Sequence, residues 1–196
     1  MDEAIDAFKT ILGLIQLAVI TGVLIAWFLT PLYDISTPTC TVSLTPWGIV
    51  LKTPSGYSIM GKGTARLILE LLLVVLVLSV IGLFTRGTVS LIIYFTSFII
   101  LAYVNFNILL PILYDMSSLF NAQLHELAVK DPSLLARIGE ITVINGQEAV
   151  LLPIHTTGNL VTALLWLMAI AIVNCFIATL SKRGLEREVS LEPPHD

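Results

Sequence analysis

The residues whose types could do chemistry are three carboxylates, Asp34, Asp115 and Glu70. Asp34 follows Pro31-Leu32-Tyr33, and Asp115 follows Pro111-Ile112-Leu113-Tyr114, so two acids recur in one local setting. Two carboxylates turned toward one axis could hold a hard cation through oxygen ligands. They could also share a proton, with one pKa raised by the other's charge. The plainer reading, which we favour, has each Asp facing water beside its Tyr as the chain leaves a membrane. Glu70 lies inside an apolar run, where a charge at mid-membrane costs ~2.5–3.5 kcal/mol. Arg66 stands one helical turn earlier, within reach on the same face. A snorkelled interfacial ion pair accounts for both, with an ion- or proton-responsive Glu70 as the alternative.

Other reactive groups are dispersed. Cys40 and Cys175 are too few for a disulfide framework; Cys40 is expected as a free thiol or as a contact between copies. His125, His155 and His195 show no zinc-ligand spacing. No phosphate-binding loop, dinucleotide motif or nucleophile elbow is present, so neither a catalytic group nor a cofactor is expected. The amides Gln16, Asn105, Asn107 and Asn174 read as hydrogen-bonding glue between helices.

These residues are carried by an unusual chain. Of 196 residues, 56% are hydrophobic and 12% charged, against about 45–50% and about 25% in soluble domains. A formal charge of -4 with no basic run gives no footing for nucleic acid. The apolar residues fall into runs of membrane-crossing length, ~20 residues each. They place spans at 11–29, 67–84, 89–110 and 160–180, with a cytoplasmic N-terminus at 1–10. MDEAIDAFK is acidic where a secretory signal is basic, so the first run is read as an uncleaved span. Lys and Arg close to span ends set direction. Lys9, Arg86 and Lys182-Arg183 favour cytoplasmic termini, and only the second span votes otherwise. The turn 85–88 and tail 181–196 are then cytoplasmic, and loops 30–66 and 111–159 lie outside.

The chain also reads as an internal duplication. Leu-Tyr-Asp-aliphatic-Ser recurs at 32–36 and 113–117, a Thr-Val strand start recurs at 41 and 142, and an Arg-Gly exit recurs at 86 and 183. The growing offset places an insertion at 118–139. Both copies would start and end inside, as parallel repeats. Each is a helix, a β-hairpin and a returning helix. One hairpin turns at Thr45-Pro46-Trp47-Gly48 and the other at Asn145-Gly146, the type I′ pair. Pairing the hairpins edge to edge gives the expected fold: a four-helix membrane bundle with a four-stranded outer β-cap. Ser118–Lys130 reads as an amphipathic helix, with Leu134, Leu135 and Ile138 continuing its apolar face after Asp131-Pro132.

No family resemblance covers the chain. Glu70 with Gly82-Leu83-Phe84-Thr85-Arg86 is similar to the second-span pattern of DoxX-type four-helix membrane proteins, without that family's Gly-rich first span, and carries no assignment. The leading expectation is a non-enzymatic multi-pass cell-membrane protein, its cap docking another copy or a partner within a membrane complex. The alternatives are a small oligomeric channel or transporter using Asp34, Asp115 and Glu70, and an accessory subunit of a redox complex.

Overall fold

The computed structural model describes residues 2–131, 133, 140–144, 147–151 and 153–191. The chain runs through α1 (Asp2–Leu29), β1 (Tyr33–Ser36), β2 (Thr41–Thr45), β3 (Gly48–Thr53), β4 (Gly56–Met60) and α2 (Lys62–Phe84). It continues through α3 (Gly87–Ala102), a π-helical segment (Tyr103–Leu109), α4 (Leu110–Lys130), β5 (Glu140–Ile144), β6 (Gln147–Leu151), β7 (His155–Thr157) and α5 (Asn159–Leu191). Among the described residues, four helical stretches are long and apolar enough to cross a membrane: Ala7–Leu29, Lys62–Phe84, Gly87–Lys130 and Asn159–Leu180. They fit a multi-pass membrane protein and contain all four expected spans.

The third stretch departs most from expectation, because it continues past Leu110 to Lys130. An interior proline lacks a donor and crowds the carbonyl four residues back, here that of Asn107. The residues just before Pro111 form a π-helix, whose wider turn shifts the hydrogen-bond pattern. Pro111 thereby becomes an early residue of α4, where a missing N–H costs least. Tyr114 and Asp115 consequently lie within a helix, whereas Tyr33 and Asp34 begin a strand. The two segments that suggested a duplication do not share a conformation. The Asp131 N–H closes α4 on the Leu127 carbonyl at 2.9 Å. The continuation at Leu134, Leu135 and Ile138, and the Asn145-Gly146 turn, lie outside the described residues.

The chain divides into two units. One comprises Met1–Ala26, Ile68–Asn107 and Thr162–Asp196. Its interior holds Ile20, Leu72, Val75, Leu101, Leu164 and Leu167, while Ile11, Val77, Phe95, Trp166 and Phe176 are exposed. Helices that are apolar all round are built for lipid. The buried polar residues of this unit, among them Gln16, Ser79, Ser97 and Asn174, point inward instead.

The other unit comprises Trp27–Leu67 and Ile108–Val161. It contains a five-stranded antiparallel sheet in the order β4-β3-β2-β1-β7 and, separately, the β5–β6 hairpin. The expected hairpins β2–β3 and β5–β6 are present, yet they do not join edge to edge. Residues 33–60 alone supply four strands, since short turns keep the entropy of closing each pair small. The free edge of β1 is taken by β7, with Asp34 opposite Thr157 and Ile35 opposite Thr156. Ile35, Val42 and Leu51 lie across from one another on β1, β2 and β3 and are all buried. Ile112, Met116 and Phe120, each one turn apart on α4, are buried too, and α4 packs against β1 and β2. The β2–β3 turn depends on Gly48, at φ 133°. A Cβ there would meet the Met60 carbonyl at 2.4 Å, so only glycine lets the turn lie against the end of β4.

Candidate functional site: a polar helix junction and an exposed sheet edge

In the helical unit, side chains of three helices form one hydrogen-bonded chain. Asn174 Nδ2 on α5 donates to Gln16 Oε1 on α1 at 2.6 Å. Gln16 Nε2 donates to Ser79 Oγ on α2 at 2.9 Å, and that hydroxyl donates to the Val75 carbonyl at 2.8 Å. All three residues are fully buried. In an apolar interior an amide left without a partner is expensive, so the three groups hold these helices in one register. The groups are neutral and bring no acid or base to the junction.

Tyr94 on α3 lies beside this junction and is fully buried. A Cβ on Gly13 would sit 2.9 Å from its hydroxyl, and one on Gly82 would sit 3.0 Å from its ring. Glycines on α1 and α2 thus form a notch that admits the phenol. The Tyr94 hydroxyl, Ser90 Oγ and Asn174 Oδ1 are buried and have no hydrogen-bond partner among the described residues. At one end of the unit Lys9, 5% exposed, donates to the Thr85 carbonyl after α2.

The expected glue is therefore divided. Gln16 and Asn174 bond across helices, while Asn105 donates to the Leu101 carbonyl of its own helical stretch at 2.8 Å. Asn107 is exposed. Ser79 and Tyr94 were not singled out by sequence, because a lone hydroxyl in an apolar run is common. The available signal was Gly13 and Gly82 lying one turn from Gln16 and Ser79.

The expected carboxylates sit apart in kind. Asp34 on β1 is half-buried, and its Oδ1 accepts from Ser43 Oγ on β2 at 2.5 Å. The pair follows from register, since Asp34 lies directly opposite Ser43. Asp115 is exposed on α4, and Arg66 and Glu70 are exposed one turn apart on α2. Among the described residues no three His, Cys, Asp or Glu side chains gather as a metal-binding group. Cys40 is 1% exposed in the β1–β2 turn, where its N–H donates to Thr37 Oγ1 at 3.1 Å. Burial raises the pKa of its thiol.

The surface of the sheet is more distinctive. All five residues of β4 are exposed, and the strand forms one edge of the sheet. Where the β1–β2 and β3–β4 turns meet the ends of β2 and β3, an open depression of about 330 Å³ is lined by Pro38, Thr39, Thr41, Lys52, Thr53 and Pro54. Comparisons with protein-family models, curated proteins and solved structures found no match to this chain.

Proposed function

We propose that this chain is a non-enzymatic multi-pass membrane protein whose extracytoplasmic sheet associates with another copy or with a partner in the same membrane. The carrying observation is the β4 edge. Gly56-Tyr-Ser-Ile-Met60 has no charge and no proline, and every one of its residues is exposed. Edge strands present unpaired N–H and C=O groups, and proteins ordinarily guard them with lysine, proline or a bulge. An unguarded edge suits strand addition, in which main-chain bonds supply affinity and alternate side chains supply choice. In this reading both termini are cytoplasmic, supported by Lys9 just before the apolar run 11–29 and Lys182, Arg183 and Arg187 after residue 180.

The test is crosslinking in native membranes through a cysteine placed on the edge, Y57C, since Tyr57 is 78% exposed while the natural Cys40 is buried. A bismaleimide-linked species larger than the monomer, matched by slow migration on blue-native gels, is the expected result. A protein that remains monomeric, crosslinks to nothing and copurifies with nothing overturns the proposal.

A further inference from the structure

We infer that the β2–β3 turn is a membrane anchor, with Trp47 seated at the boundary between lipid headgroups and acyl chains. Trp47 is 66% exposed, and its indole meets the Phe28 ring edge-on, centroids 6.1 Å apart at 71°. Phe28 is the penultimate residue of α1, whose stretch Ala7–Leu29 is of membrane-crossing length. One ring contact therefore separates Trp47 from the end of an apolar span. Phe28 and Leu29 are themselves 52% and 79% exposed, so the indole stands at exposed apolar side chains of the last turn of α1.

The turn is held from its other side as well. The close approach of Gly48 to the Met60 carbonyl pins it against the end of β4. Met60 and Gly61 lead directly into α2, a second helix of membrane-crossing length that begins at Lys62. Trp47 is thus fixed beside the end of one span and the start of another. Ile59 and Met60 are 38% and 40% exposed at this corner, and Lys62 is exposed just beyond them. Apolar side chains, an indole and a cation gathered at one corner suit a bilayer interface, where tryptophan's amphipathic ring concentrates. The occupant is lipid because the ring that the indole touches, Phe28, closes a helix of membrane-crossing length and apolar composition.

The inference rests on α1 and α2 crossing the membrane, and on no particular docking partner. The test is tryptophan quenching in bilayers of phosphatidylcholine brominated either high or low on the acyl chain. Trp27 is buried at 1% exposure and is kept in all variants. W166F against W47F/W166F isolates Trp47, and W47F against the same double variant isolates Trp166, which is 67% exposed on the α5 span. The expected result is stronger quenching of Trp47 by the high bromines than by the low ones, with protection from aqueous iodide. Trp166 quenched by lipid while Trp47 is quenched by iodide alone overturns the anchor and leaves the spans standing. Neither residue quenched by lipid overturns both.

Discussion

Asn174 donates a hydrogen bond to Gln16 across 158 residues of sequence, joining α5 to α1. Because Gln16 passes the interaction on to Ser79, three of the four membrane-length stretches share one buried polar point.

Breaking that point has a predictable cost. Interhelical hydrogen bonds in membranes average about 0.6 kcal/mol, with about 1.7 as an upper value. Replacing one partner also strands the other. Q16L and N174L should each lower stability by about 1–2 kcal/mol in detergent unfolding. The double variant should lose less than their sum. Strict additivity would show that the two amides do not interact.

The Tyr94 notch makes a sharper prediction. A Cβ at Gly13 would lie 2.5 Å from Leu83 Cδ2 and 2.9 Å from the Tyr94 hydroxyl. Overpacking of this kind costs about 1–3 kcal/mol, so G13A should lower the melting temperature. Y94F removes a buried hydroxyl without a partner among the described residues and should be neutral or stabilising. It should also recover part of the G13A loss. A large loss in Y94F alone would mean that the hydroxyl has a binding role.

Cys40 should react slowly. Its thiol is buried and its pKa lies above the ordinary 9.0 because burial disfavours the thiolate. In a C175A background, maleimide labelling of the folded protein at neutral pH should be far slower than in denaturant. The sign for stability follows from the same shift. Above the ordinary value the unfolded chain releases this proton while the folded one retains it, so the contribution falls as pH rises. An alkaline decline in stability that C40A does not lessen would contradict this.

A charge on the sheet edge should act on association and spare the fold. Tyr57 is 78% exposed, so Y57K introduces a lysine of the kind that guards natural edges. Blue-native migration should shift toward the monomer with the melting temperature nearly unchanged. Unaltered migration would remove β4 from the contact.

Much of this fold was legible in the chain. Membrane-length runs depend on local composition, so Ile11–Leu29 and the other spans are readable without any tertiary knowledge. The β2–β3 hairpin is equally local, since Pro46 and Gly48 mark its turn. The strands β1, β4 and β7 were missed because they are short and carry little alternation of their own.

What sequence alone determined, then, is the solvent of the helices and the existence of two hairpins, because hydropathy and turn chemistry act over a few neighbouring residues. The tertiary structure decided which residues meet. It took Asp34 to Ser43 and β7, carried the third span through Pro111 in a π-turn, and brought Gln16 to Asn174. Those outcomes depend on pairing across long stretches of chain. There, the need to satisfy buried polar groups and sheet edges selects among partners that local pattern cannot distinguish.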